Sequence, residues 1–213
     1  MRKLAMAGFE GDFLWFGDPY VEGPVPQTQS MEEFVKIRMD YWEEESLPES
    51  YTDLEQAGEY PLVNIWMEHD SYDQLILAKL LDFFSNPDKR PQWLRLISIM
   101  HFPGVERFNG IGQLPPEALR VLWNDFQDVG ERQLLLGKRA WGAITSPTPE
   151  ALVDLVKTRT LALPTMGWAL ARHLRELPAV KNGLSLTEQL TLEVLREGGY
   201  ECCSALWVVH KPL

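Results

Sequence analysis

Cysteine and positive charge are what this chain has least of. Its two cysteines, Cys202 and Cys203, are neighbours near the C-terminus. Adjacent thiols rarely bridge each other, and two sulfur ligands do not complete a zinc site. A disulfide-built secreted fold is therefore excluded, and a reduced, cytoplasmic setting is the expectation. Lysine and arginine number 20 against 31 aspartates and glutamates, a net charge of −11. That field repels a phosphate backbone, because affinity for nucleic acid comes largely from cationic side chains displacing counterions. Nucleic acid is accordingly not an expected partner. Long apolar runs are also missing: none approaches the roughly 20 residues that span a bilayer. Arg2 and Lys3 open the chain without the apolar core of a signal peptide. No membrane association is expected, and the chain has neither an internal repeat nor a low-complexity tract.

What is present is an ordinary globular share of apolar residues, 45%, with eight tryptophans spread along the chain. Their even spacing suits a core better than a stacking platform. The acid excess gathers between Met31 and Glu59, where Glu32, Glu33, Glu43, Glu44, Glu45, Glu49, Asp53, Glu55 and Glu59 read as solvated helix faces.

Three short apolar runs read as strands. Phe13–Phe16 is closed by Gly17-Asp18-Pro19. Leu62–Met67 ends at Glu68-His69-Asp70. Trp93–Met100 ends at His101-Phe102-Pro103-Gly104. Between them, Ser30 with Glu33 forms a capping box opening a helix through Phe34, Ile37, Arg38 and Tyr41, and a short helix starts near Thr52. Leu77, Leu80, Leu81 and Phe84 share one face of the helix after Asp70. Strand and helix alternate, so the expected fold class is α/β, a largely parallel sheet with flanking helices, over residues 1–114. From residue 115 to 213 the chain reads as helical. Helices open at Pro115-Pro116, near Gln133, at Thr148-Pro149-Glu150 and near Thr165. A second capping box, Ser185-x-x-Glu188, opens a helix like the first of a winged helix-turn-helix, which the residues after Gly199 are too few to complete.

In open α/β sheets, ligands bind beyond the carboxyl ends of the strands. Asp18, Glu22, Glu68, His69, Asp70, Asp73, Gln74 and His101 would then share one crevice. Carboxylates and histidines so gathered serve acid–base chemistry, and they admit a divalent metal such as Zn, Mn or Mg, although no metal signature is met. Asp70 and Ser71 fit helix N-caps equally well. Asp73 and Gln74 lie one turn ahead of Leu77 and Leu81 and should face the sheet. Gly104, Gly110 and Gly112 let backbone N–H groups approach an anion, with Arg107 as a clamp and Gln113 beside it; the same loop also serves as a plain strand-to-helix connection. It is neither a Walker motif nor a dinucleotide fingerprint.

Several of these segments, read as whole motifs, resemble the uncharacterised bacterial family called domain of unknown function 1835. They are Asp18-Pro-Tyr-Val-Glu22-Gly-Pro-Val-Pro26, Trp66-Met-Glu68-His69-Asp70-Ser-Tyr-Asp73-Gln74-Leu75, Phe102-Pro-Gly104-Val-Glu106-Arg107-Phe-Asn-Gly110-Ile-Gly112-Gln113-Leu114, and Ala140-Trp-Gly-Ala-Ile-Thr-Ser146-Pro. The likeness covers about residues 5 to 195. It implies position rather than chemistry, since the family has no assigned activity. Members of that family begin with an extra strand ending in Asn-Gly-Asp and extend further at the C-terminus, so this chain is expected to lack both.

The expectation is an enzyme for an anionic, phosphorylated or nucleotide-like small molecule, of the hydrolase or transferase kind. Glu68, His69, Asp70, Asp73 and His101 would be catalytic. Asp18, Glu22, Gln74, Gly104, Arg107, Gly110, Gly112 and Gln113 would bind the ligand. The alternative is a non-catalytic regulatory or interaction module with a helix-turn-helix-like tail.

Overall fold

The computed structural model describes residues 2–44, 49–158 and 160–196. Two compact units divide after Leu170. Residue 114, where the sequence changes character, lies inside the first of them.

The first unit is built on a three-stranded mixed sheet in the order β1-β2-β3. Strand β1 (Leu62–Met67) runs parallel to β2 (Trp93–Ser98), with Leu62 opposite Trp93 and Met67 opposite Ser98. A parallel pair needs a crossover, and helix α4 (Ser71–Phe84) supplies it. The third strand, β3 (Gln127–Asp128), is antiparallel to β2. The sheet is thus parallel only in its first pair. The remaining helices are α1 (Arg2–Met6), α2 (Met31–Trp42), α3 (Glu49–Gln56), α5 (Pro116–Leu122), α6 (Glu131–Ile144), α7 (Glu150–Lys157), α8 (Pro164–Leu174), which crosses the division, and α9 (Leu186–Arg196).

Two expectations fail here for physical reasons. Phe13–Phe16 is not a strand. It has no ladder partner among the described residues, and Phe16 serves instead as an anchor, its ring 5.0 Å from that of Tyr51. The stretch after residue 115 is not wholly helical, because β3 interrupts it. Two residues are too few to show a period of two.

Strand alternation sorts the core into two layers. Trp66 and Ile97, paired across β1 and β2, face a cluster made by Ala7, Leu114, Ala118, Leu119 and Leu122. Phe9 and Trp123 close on Trp66 with ring centroids 5.7 and 6.3 Å away. The opposite face carries Ile65, Met67, Leu94 and Leu96, all buried, and α4 packs against β1. Helix α4 is covered on its far side by α6, which is why every residue from Gln74 to Leu81 is buried. Gly137 makes that approach close: a Cβ there would overlap the Leu81 side chain. Each large aliphatic side chain buried this way contributes about 1.5–3 kcal/mol, so α4 is the central element of the unit.

Of the second unit, residues 171–196 are described. Ser185 Oγ accepts from the Glu188 N–H, and Glu188 returns a bond from the Ser185 N–H, the reciprocal capping box expected. Glu176 accepts from Arg172 and from the Thr187 hydroxyl, tying the end of α8 to the start of α9. The wing expected to be incomplete, and both cysteines, lie outside the described residues.

Candidate functional site at the strand ends

The junction of β1 and α4 is stitched by its own polar groups. Asp70 is the N-cap of α4, its Oδ1 accepting from the Asp73 N–H at 2.9 Å. Capping explains Asp70 without chemistry. Ser71 does not cap; its hydroxyl donates to the Ala169 carbonyl at 3.1 Å. Asp73 turns back to accept from the Glu68 N–H at 2.5 Å, and the Gln74 amide donates to the Glu68 carbonyl at 2.6 Å. Both side chains face the strand end, as their place one turn before Leu77 required.

Glu68 takes a role that the glycine loop was expected to give a ligand. Its carboxylate accepts from the Gly112 N–H at 3.3 Å. Gly110 is pressed against the same carboxylate, with no room for a Cβ. The backbone of 110–112 is therefore an anion cradle, and the anion it holds is the protein's own. Gln113 shapes the cradle from behind, accepting from the Asn109 N–H at 2.6 Å and donating to the Arg107 carbonyl at 3.2 Å. Gly104 lies in the left-handed region, φ 82°, and sets the turn that begins the loop. Arg107 itself is exposed and makes no ion pair among the described residues.

Burial tunes these acids upward. Asp73 is pushed to about 6, first by loss of solvent, then by the charges of Asp70 and Glu68; the Glu68 N–H opposes the rise. Glu68 is also raised by burial, against the pull of the Gly112 and Ile111 N–H groups. A carboxyl near 6 can both give and take a proton at neutral pH.

The histidines differ. His69 lies under the loop, its ring 6.0 Å from that of Phe108, with Nδ1 buried and unpartnered. His101 stands three residues past the end of β2 on the same edge, but exposed and without a side-chain hydrogen bond among the described residues.

Asp18 belongs to a different construction. It forms a buried pair with Arg38 of α2, at 2.6 Å. The Tyr51 hydroxyl donates to its other oxygen at 2.6 Å, and burial raises the Tyr51 hydroxyl well above its ordinary value, so it stays a donor. The same guanidinium donates to the carbonyls of Pro19, Glu22 and Pro24. Glu22 contributes only that carbonyl, and its side chain is exposed. The Asp18-Pro-x-x-Glu22-Gly-Pro motif is thus a loop wound around one arginine. It meets the strand-end site through Tyr72, whose hydroxyl donates to the Gly17 carbonyl at 2.6 Å and is raised by burial and by the charges of Asp73, Asp18 and Asp70.

Four buried side-chain polar atoms lack a partner among the described residues, and three of them, His69 Nδ1, Gln74 Oε1 and Ser98 Oγ, sit at the carboxyl edge of β1 and β2. Gln74 and Ser98 line a cavity of about 40 Å³ with Gln127 and Thr165. That volume admits a water or two.

Comparison with protein families, curated proteins and solved structures finds no match. The site must therefore be read from its own chemistry. No cluster of three or more histidine, cysteine or acidic side chains placed to hold a metal occurs among the described residues. Among them, too, no helix is long and apolar enough to cross a membrane.

Sequence reasoning placed Arg38 on the helical spacing of α2 without giving it a role, and it missed Lys79. Each is a buried cation, 2% and 7% exposed. Arg38 sits on the apolar face of α2, between Phe34 and Tyr41. Lys79 is the one charge in the run Leu75–Leu81. A charge at a position that periodicity assigns to the core was the available signal.

Proposed function

We propose that this protein is an enzyme for a small polar substrate, of the anionic, phosphorylated or nucleotide-like class, which binds at the carboxyl edge of β1 and β2. Asp73 is the acid–base group and Glu68 its neighbouring carboxylate. His69, next to Glu68 in the chain, offers a nitrogen without a partner among the described residues, and Arg107 supplies the exposed cation for an anionic substrate group. Asp70 is left to its cap and Asp18 to Arg38. The observation that carries this reading is the gathering of three orphaned buried polar atoms at one strand edge, since such atoms are ordinarily satisfied; Gln74 Oε1 and Ser98 Oγ line a cavity the size of a water, which leaves His69 Nδ1 for the substrate. Asp73, its carboxyl pushed up to about 6 by burial, adds to it. The motif likeness to domain of unknown function 1835 supports the same location, because two of its four segments form this edge.

A second reading has an observation of its own. Each of the three acids has an internal partner, so the junction also makes sense as a rigid corner of a non-catalytic interaction module. A thermal-shift screen of nucleotides, phosphorylated sugars and divalent metals separates the two, because a ligand of the native state raises its stability. The enzyme reading expects a stabilising ligand whose effect is lost in Asp73→Asn and Arg107→Gln while the fold persists. A ligand effect that survives both substitutions refutes the assignment.

A further inference from the structure

A cavity in the first unit lies away from the strand ends, between the N-terminus of α2, the later turns of α4 and the last turns of α6, with a volume of about 360 Å³. Its walls are chemically divided. Phe34 and Trp141 give aromatic surface, and Pro26 and Met31 extend it. Lys79 and Lys138 bring two ammonium groups and Asp82 one carboxylate, leaving one positive charge.

Lys79 is the unusual member. It is 93% buried, on a helix otherwise apolar from Leu75 to Leu81, yet it makes no hydrogen bond and no ion pair among the described residues. Its Nζ lies 4.8 Å from the Phe34 ring centroid and 4.9 Å from that of Trp141. Aromatic faces attract a cation but accept no hydrogen bond of ordinary strength, so the donors of this ammonium are left to the cavity it lines. Buried charges are ordinarily paired. Burial lowers the basicity of Lys79, while Asp82 and Glu55 act on it only at a distance.

The α2 terminus adds donors to the same cavity. Ser30 Oγ accepts from the Glu33 N–H at 3.1 Å, and the Glu33 carboxylate is turned to the Gln29 N–H at 2.9 Å. The N–H groups of Met31 and Glu32 have no acceptor among the described residues. Their direction favours negative charge.

We propose that this cavity is a binding site for a small organic anion, a carboxylate or phosphate ester carried on an apolar ring or chain. The anionic group pairs with the Lys79 and Lys138 ammonium groups and the first-turn N–H groups of α2. The apolar body lies against Phe34 and Trp141. The volume falls in the range of small-molecule sites. The strand-end reading is independent of this site, although α4 carries residues of both.

The test is titration calorimetry of the intact protein with benzoate, phenyl phosphate and inorganic phosphate, repeated on Lys79→Met and Lys138→Gln. Methionine keeps the volume of the lysine stem and removes the charge. Saturable binding of benzoate or phenyl phosphate is expected, weakened about ten- to hundredfold by Lys79→Met, the loss that follows from one charged hydrogen bond. The preferred probe tells carboxylate from phosphate recognition. As a second measurement on the unaltered protein, the bound probe should protect Lys79 from acylation, read by peptide mass spectrometry. Absence of saturable binding, equal binding by Lys79→Met, or unprotected Lys79 at saturation each overturns the proposal. Inorganic phosphate binding as tightly as phenyl phosphate overturns the role given to the aromatic walls.

Discussion

Replacing Gly110 with alanine tests whether the glycine loop holds Glu68. Gly110 has φ 162° and ψ 169°, an extended conformation open to any residue, so backbone strain contributes nothing to the outcome. What alanine meets is the Glu68 carboxylate, which fills the space of the new Cβ. The carboxylate must swing away and abandon the Gly112 N–H. Losing one charge-assisted bond costs about 1.5–3 kcal/mol. Reduced freedom of the unfolded chain returns about 0.4–1 kcal/mol. Gly110→Ala should therefore destabilise the protein by about 0.5–2.5 kcal/mol. In a Glu68→Ala background the obstruction is gone, and the same change should be neutral or stabilising by up to about 1 kcal/mol. Urea unfolding of the four proteins measures the coupling directly, expected at about 1.5–3 kcal/mol. Equal effects of Gly110→Ala in both backgrounds would refute the cradle.

Other consequences follow from single groups. Asp73 holds a proton up to about pH 6 in the native state but releases it earlier when unfolded, so its stabilising contribution is full in acid and is lost as pH rises through 6. Relative to Asp73→Asn, wild type should lose up to about 3 kcal/mol between pH 4 and 7, seen in urea midpoints; a pH-independent difference would contradict the raised value. Asp70→Asn should leave stability within a few tenths of a kcal/mol and Asp70→Ala should cost about 1 kcal/mol, since asparagine caps as well as aspartate; a large loss in Asp70→Asn would give the charge itself a role. Arg38→Met strands the Asp18 carboxylate and three carbonyls, and a loss of about 3–5 kcal/mol in thermal or urea unfolding is expected, with a loss below about 1 kcal/mol contradicting a buried pair.

Legibility in the sequence followed the range of the interaction. Leu62–Met67 and the Trp93 strand were readable because an apolar run between breakers reports its own burial. Asp70 and Ser185 were readable as caps because a cap bonds a residue three positions away. Gln74 could be placed facing the sheet from its spacing to Leu77 alone. Phe13–Phe16 looked like a strand by the same local test, and failed because a strand also needs a partner, which no local pattern supplies. β3 was invisible for the opposite reason: its two residues exist as a strand only through β2.

The candidate site shows the same limit in chemical form. Three glycines after β2 signalled backbone donors aimed at an anion, and the donors are there. That the anion is Glu68 depends on β1 and β2 lying side by side, which brings residue 68 to residue 112. Composition names the groups that seek partners; topology decides which partners they find. Asp18 makes the point again, since its proximity to the other acids in the strand-end expectation assumed a strand at Phe13–Phe16. Without that strand, its charge is answered by Arg38, a cation on an apolar helix face whose need for an acid was not drawn from the sequence. The informative residues were therefore the ones that broke the pattern of their own element. Arg38 in α2 and Lys79 in α4 are both buried cations on core faces. One has its carboxylate within the protein, and the other, facing a cavity of ligand size, has none among the described residues.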